Sequence, residues 1–489
     1  MSRHAHAFVV LVTVSLTLAG GCRARAPREE PREAPTVRIG TFVEGGSTRI
    51  ANLLSSEFLV TVGWDGRPVF RLAESATESA DGLALTIRLR SNARFHSGQL
   101  LTARRVRDVL LERAAVSAAV AEIEESDERT LVLRLRRPHA LHLVDLSEHA
   151  VQEEDDSTER AGPFKVVSLS RPAVLAPFDH YYQGVPSVGR VEIEEYASHR
   201  AAWTAMMRGE INFLHEVSRE AIDFMQAGGD ITAYPLLRPY YVTLVFNQRH
   251  PILGRLDVRL AMSEAIDRAE LLRLGMRGQG EAAFTPFWPH HWAHPALHPP
   301  VHNPDAARIR LDTGGLPVRS SPSAMPARFA FTCLVHEGDA RFERLALVLQ
   351  RQLSAIGIDM RLHPVPQQEL GDRIAAGRYD TYLFELVNGR TLSFPYQFWH
   401  SRTSPLATGY SAADAALDSL QTATTEHGVR AAVTDVMRVM RNDPPAVFLV
   451  WPREARAADN AIALPYEQDR DVFGTLWRAR SRAVREPSP

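Results

Sequence analysis

An α/β fold is predicted for this chain by three observations. Strand and helix patterns alternate through its C-terminal half, from residue 329 to residue 451. Three runs, at residues 37–43, 83–90 and 131–136, alternate apolar and polar residues as strands with one wet face do. Hydrophobic residues make up 45% of the 489 positions and charged residues 23%, enough to bury a core in two or three domains.

The elements follow in chain order. Residues 7–18 are apolar and stand behind Arg3, His4 and His6. Twelve residues are too few to span a bilayer as a helix, where roughly 20 are needed, and they fit a secretory signal. The run closes on Leu18-Ala19-Gly20-Gly21-Cys22, which resembles a lipoprotein cleavage box with Ala19 in place of the usual leucine. Cys22 is therefore the predicted lipidation site and residues 1–22 the leader. Residues 23–36, rich in proline and charge, are predicted as a disordered tether. A periplasmic or cell-surface body anchored by lipid is the expected location.

In the body, Thr102 is a helix cap, and the helix it opens is expected to run to about residue 119. Strands are expected near 174–178 and 188–196, and a helix at 199–208. The strand 241–246 leads through Pro251 and Gly254 to a long helix from Asp257, with Leu260, Ala261, Ala265, Ile266 and Leu272 on one face. After the strand 329–335, Asp339 opens a helix carrying Phe342, Leu345, Leu349, Leu353 and Ile356. Gly357 ends it, where a left-handed cap is cheap. The strand 358–362 follows, then a short helix ending at Gly377, the strand 379–387, helices near 412–422 and 428–441, and a strand 446–451. This spacing implies right-handed crossovers and a largely parallel sheet.

Several residues invite chemistry that their context does not support. His96 sits in a His-Ser-Gly turn before the capped helix, which is turn chemistry. Cys333 lies in an apolar strand and reads as a buried small hydrophobe. The acidic run 153–156 reads as a solvated loop. His290, His291, His294 and His298 stand among Pro289, Pro295 and Pro299, which disfavour a regular helix, so a helical metal pair is not expected. No Gly-x-Ser-x-Gly or His-Glu-x-x-His motif is present, which argues against a secreted hydrolase. A net charge of −2 gives no nucleic-acid footprint. No enzyme activity, cofactor or metal is expected.

Four signatures stand in order along the chain. The first is Phe95-His96-Ser97-Gly98 entering a helix through Thr102-Ala103, and the second is Gly162-Pro163-Phe164-Lys165. The third is Gly209-Glu210-Ile211-Asn212, and the fourth is Phe246-Asn247 followed by Asp257-Val258-Arg259 and Ala265-Ile266-Asp267-Arg268. Together they resemble the family 5 extracellular solute-binding proteins of the oligopeptide, dipeptide and nickel-binding type. The resemblance implies a type II periplasmic-binding-protein-like clamp of two lobes plus an extra domain, with mixed sheets flanked by helices. Carried onto this chain, lobe one is 37–56, 162–240 and 446–489, the accessory domain is 57–161, and lobe two is 241–445. Crossings at residues 236–241 and 443–446 are the expected hinge. The implied activity is capture of a small peptide-like or other polar ligand and its delivery to an ABC permease complex by a monomer. A same-fold receptor that signals or chaperones without transport is the alternative.

Candidate cleft residues are Phe42 and Glu44 after the first strand, Tyr240 and Tyr241 at a crossing, and Trp288 on an irregular segment. Asn388, Arg390, Tyr396 and Trp399 follow the strand 379–387. Peptide-binding relatives carry an aspartate near this point that pairs with the ligand's α-ammonium group. Gly389 stands there in this chain, with Arg390 after it. Either Glu385 or Glu44 substitutes, or the ligand is not a free peptide, and a cleft arginine favours a carboxylate, phosphate or sugar hydroxyl.

Overall fold

The computed structural model of the protein describes residues 34–43, 45–138, 142–152, 159–217, 229–297, 299–321 and 324–482. The leader, Cys22, residues 23–33 of the tether and Glu44 lie outside the described residues, as does His298.

Twelve strands form one sheet. From one edge its order is Ile358–Val365, Phe329–His336, Thr381–Val387, Tyr240–Phe246, Ala446–Asp459, Phe213–Leu214, Thr36–Thr41, Arg190–Glu195, Ala173–Pro177 and Phe164–Ser168. Ile231–Leu237 and Gly280–Ala282 also pair with Ala446–Asp459. Parallel pairing joins Thr36–Thr41 to both Arg190–Glu195 and Phe213–Leu214. It also joins Phe329–His336 to both Ile358–Val365 and Thr381–Val387. The remaining pairs are antiparallel, so the expectation of a largely parallel sheet is corrected to a mixed one. The two parallel patches are the strand–helix–strand units. The antiparallel strands between them are the connections that cross from one patch to the other.

Ala446–Asp459 is the element that joins the patches. Its first residues pair with Tyr240–Phe246, and residues 453–459 pair with Ile231–Leu237. Sequence patterning gives this strand as residues 446–451. The strand continues because its charges are matched along its length. Arg453 Nε meets Asp469 at 2.8 Å, and Arg456 Nη2 meets Asp471 at 2.7 Å. The step between the patches accordingly falls at residues 451–453, not at 443–446.

Each part has its own core. Ile39, Leu54, Phe164, Ile193, Phe213 and Leu476 pack around the N-terminal patch. Two clusters cover the faces of the other patch, one around Tyr241, Trp288, Trp399 and Trp451, the other around Val258, Leu345, Leu349 and Met360. A separate four-stranded sheet, ordered Ala73–Glu78, Ala84–Leu89, Thr130–Leu135 and Val120–Asp127, buries Leu85, Ile87, Leu133, Val106 and Leu110 in a core of its own.

Local rules place most helices. The Thr102 hydroxyl accepts from Arg105 N, and Asp339 accepts from Arg341 N at 2.8 Å, so both caps form as expected. Gly357 takes φ +81° after Ala340–Ser354. The long helix expected from Asp257 is instead two, Leu256–Ala265 and Arg268–Leu274. Ile266 turns extended and Asp267 caps the second helix, accepting from Ala269 N at 2.9 Å and Glu270 N at 3.1 Å. An aspartate at that point satisfies amides that a continuous helix would have bonded to carbonyls. The helix expected from Thr102 to residue 119 likewise breaks, into Ala103–Glu112 and Ala114–Ala119.

Candidate functional site

Parallel strands release their loops on one side, and ligands gather at such carboxyl ends. Thr36–Thr41 delivers Phe42 there, and Phe213–Leu214 delivers Glu216 and Val217. From the other patch, Phe329–His336 ends at His336, and the helix Ala340–Ser354 starts with Asp339, Arg341 and Arg344. Ser198 and His199 open a further helix, with the Ser198 hydroxyl accepting from Ala201 N. These residues, with Arg453 and Glu454 of the joining strand, enclose a cavity of about 520 Å³. That lies within the roughly 300–1,000 Å³ usual for small-ligand sites.

The walls are ionic. Arg341 reaches Glu454 at 2.9 Å and Asp339 at 2.8 Å. Arg238 reaches Glu454 at 2.7 Å and lies 3.7 Å from Glu385, which also stands 3.9 Å from Arg341. The helix of one patch is thereby tied to the strand shared with the other. Burial opposes the charge on both arginines, but Glu385 and Glu454 outweigh it at Arg238, as Asp339, Glu385 and Glu454 do at Arg341, and both stay above the ordinary value. Glu385 is pushed up by burial, and its Oε1 is buried without a hydrogen-bond partner. Burial also lowers His199, with Arg341 adding to the effect. The Phe42 and His199 ring centroids lie 3.4 Å apart at the cavity wall.

Glu216 is raised, first by burial and then by Glu454. Its neighbour His215 is pushed down to about 3 by burial and by Arg456, so its ring is neutral near pH 7.

Of the residues nominated from sequence, Phe42 lines this cavity. Four others are corrected from wall to core. Tyr241, Trp288, Trp399 and Asn388 are at most 1% exposed. Asn388 Nδ2 donates to Pro286 O at 2.8 Å, and its Oδ1 accepts from Arg390 N at 2.9 Å, so its side chain holds loops together. Tyr240 is half-buried at the crossing, with the Arg238 guanidinium 4.2 Å from its ring centre. Tyr396 lines a different cavity, of about 340 Å³, against the separate four-stranded sheet. Arg390 sits at φ +62° with its guanidinium 5.5 Å from the ring centres of both Trp64 and Trp288. Its Nε is buried without an acceptor, and burial and Arg470 lower its pKa.

The three described histidines of that run, His290, His291 and His294, have separate partners. His290 faces Glu281 at 3.1 Å, His291 Nδ1 accepts from Ala293 N at 3.1 Å, and His294 Nδ1 lies 2.9 Å from Pro295 O. Among the described residues no group of three or more His, Cys, Asp or Glu is placed to hold a metal ion. Cys333 is buried and free, its thiol pushed up to about 12 by burial. His96 Nε2 lies 2.9 Å from Gly162 O in the buried turn.

Sequence reasoning missed His199, Glu216, Arg341, Arg344 and Glu454. The signal for some of them was present, since Ser198 and Asp339 are helix caps at the ends of strands. Glu454 carried none, because its strand was not foreseen past Trp451.

A family model described as bacterial extracellular solute-binding proteins, family 5 Middle, matches residues 67–405. The oligopeptide-binding protein AppA of Bacillus subtilis is 24% identical over 485 residues, covering 89% of this chain and 88% of AppA. The structure of that AppA with a nonapeptide superposes with a TM-score of 0.76 at 18% identity, over 93% of this chain and 100% of the other. NikZ of Campylobacter jejuni, in complex with Ni(L-His), gives 0.78 at 16% identity, over 91% and 99%. These two structural likenesses are likenesses of fold.

Proposed function

The chain belongs to the bacterial extracellular solute-binding proteins of family 5, and on that premise we propose that it captures a small polar solute between two lobes and hands it to an ABC importer. The observation that carries this reading is the 520 Å³ cavity, whose lining comes from both parallel patches and from the strand they share. A ligand touching both walls binds the closed arrangement better than the open one, and so shifts the protein toward closure. The relatives named as oligopeptide-binding and the neighbour holding Ni(L-His) make peptide-like and small chelate ligands the first to try.

In this reading lobe one is 37–56, 162–240 and the later part of 446–489, lobe two is 241–445 together with residues 446–450, and 57–161 is an accessory domain. Closure bends the chain at residues 237–240 and 451–453, where it passes between the lobes. Phe42, His199 and Glu216 form one wall of the site, and Asp339, Arg341 and Arg344 the other. Arg390, Tyr240 and Tyr396 contribute outside this cavity. The protein acts as a monomer held by lipid at Cys22, and binding leaves the cargo chemically unchanged.

The test is thermal shift and calorimetry of the purified body against peptides, amino acids, sugars and nickel–histidine, because a ligand that binds only the folded state raises the melting temperature by mass action. A hit should also lower the radius of gyration in X-ray scattering. No stabilisation by any class, or turnover of a bound compound, would remove the proposal.

A further inference from the structure

The helix Arg268–Leu274 begins with a buried guanidinium that has no counter-charge. Among the described residues five arginines are at most 9% exposed. Arg259 meets Asp443, Arg328 meets Asp312 and Arg456 meets Asp471. Arg160 donates to the Asn52 side-chain oxygen at 2.8 Å and to the Ser55 hydroxyl at 2.7 Å. Arg268 has uncharged acceptors only. Its Nε donates to Phe448 O at 2.8 Å and to Ala283 O at 3.0 Å. The two terminal nitrogens reach Ser263 alone, Nη1 its carbonyl at 3.4 Å and Nη2 its hydroxyl at 3.5 Å. Those contacts lie at the outer limit of hydrogen bonding, so the planar fork at the tip of the side chain is nearly unused. Burial alone lowers this guanidinium, to about 10, so it is charged near pH 7. A charge withdrawn from water without a partner costs free energy that a counter-ion recovers.

The space beside it has room for one. Arg268 and Ser263 line a cavity of about 290 Å³ whose residues all fall between 260 and 448, and none of them belongs to the 520 Å³ cavity. Leu260, Phe284, Val301, Met440 and Phe448 give this space an apolar side. Its charged residues are Arg268, Arg441 and one carboxylate, Glu264. Arg310 already engages both oxygens of Glu264, at 2.6 and 3.1 Å. The carboxylate still repels a further negative charge, which favours a monoanion over a phosphate dianion.

We propose that this cavity is a second binding site, for a small monocarboxylate with an apolar body, whose carboxylate takes the underused edge of the Arg268 fork. Two coplanar terminal nitrogens match two carboxylate oxygens, and the apolar side receives the rest of the molecule. Through its bonds to Phe448 O and Ala283 O, Arg268 couples an occupant to the strand Ala446–Asp459 that joins the patches. The site is separate from the solute cavity, and its occupancy is independent of solute capture.

The test uses the intact protein with butyrate, benzoate, butyramide, benzamide and sulfate at constant ionic strength, read by calorimetry. Crystals soaked in 4-bromobenzoate place the site by the anomalous signal of bromine. At least one carboxylate should bind, its amide should bind tenfold or more weakly, and bromine should lie beside Arg268. Arg268→Lys keeps the charge but loses the fork, and should weaken the carboxylate at least tenfold. Ser263→Leu fills the space while leaving the arginine, and should do the same. Should either variant fail to fold, the acid–amide pairs and the bromine position decide. An amide that binds as tightly as its acid overturns the inference, as does sulfate binding more tightly than either carboxylate. Binding that neither variant weakens, bromine found only in the 520 Å³ cavity, or no binding at all overturns it too. None of these results removes solute capture, which is read with other ligands at the other cavity.

Discussion

The Trp399 indole N–H donates to the Tyr241 hydroxyl at 2.9 Å in a core where both residues are closed to solvent. Burial raises the Tyr241 hydroxyl pKa, so it remains protonated and neutral. The pair packs against Phe448, and Tyr241 against Trp451, which turns a suspected cleft wall into a structural bond. Tyr241→Phe should leave the indole N–H unpaired and cost about 1–3 kcal/mol of stability. Urea denaturation measures that loss. Affinity for any identified ligand should stay within threefold; a larger drop would return these residues to the binding site.

Arg341 is the bridge between helix and shared strand. Arg341→Met should free Glu454 and Asp339 from their partner and leave Glu385 with Arg238 alone. Breaking a fully buried pair costs about 3–5 kcal/mol and an exposed one under about 1. Arg341 is about one-third exposed, so a loss of about 2 kcal/mol is expected in chemical denaturation. A change below 0.5 kcal/mol, a threshold typical of neutral surface substitutions, would mean that the network contributes nothing to the fold.

Acid should unfold the protein partly through two imidazoles. His215 and His291 are each pushed down to about 3, chiefly by burial, whereas an unfolded histidine titrates near 6.5. Between those values the unfolded chain binds more protons, so stability rises with pH across this window and falls as pH drops through it. His291→Gln should therefore flatten the stability profile between pH 6.5 and 4. One proton corresponds to about 1.4 kcal/mol per pH unit. An unchanged slope would show that His291 is already protonated in the folded protein.

Glu216 acts in the opposite sense. Its folded pKa is raised, so its contribution is most favourable at low pH and is lost as pH rises through the folded value. Glu216→Gln should leave the ligand-free protein at least as stable as the parent at pH 7, by thermal melting. A clearly lower melting temperature would mean that a protein group already neutralises this carboxylate.

Restoring the aspartate of the peptide-binding pattern should fail on steric grounds. Gly389 has φ +64°, and a Cβ there would lie 2.8 Å from a Phe394 ring carbon. Left-handed backbone costs roughly 1–2 kcal/mol for a residue with a side chain, and the ring must also move. Gly389→Asp is expected to destabilise by about 2–3 kcal/mol in thermal melts. A neutral outcome would show that this loop rearranges freely.

The sequence was most legible where a local rule decides the structure. Thr102 and Asp339 capped their helices, Gly357 took the left-handed turn, and the apolar spacing from Phe342 to Leu353 marked the buried face. It was least legible where the outcome depends on a distant partner. Ile266 interrupts a helix because Asp267 recaps it, and Ala446–Asp459 runs past Pro452 because Asp469 and Asp471 neutralise its arginines. The site suffered most. Aromatic residues beside loops, such as Trp288 and Trp399, have the same pattern whether they line a cleft or fill a core. Glu216 and Arg344 meet at one cavity only once their strand and helix are placed in the fold, and no local pattern carries that information.

Gly280–Ala282 pairs with residues 450–452 of the long ribbon and Ile231–Leu237 with residues 453–459, so the partner changes after Pro452, a residue with no amide hydrogen to give to a ladder. On the two-lobe reading proposed above, a ladder interrupted at that point would let closure turn the halves about this one strand rather than slide them past each other.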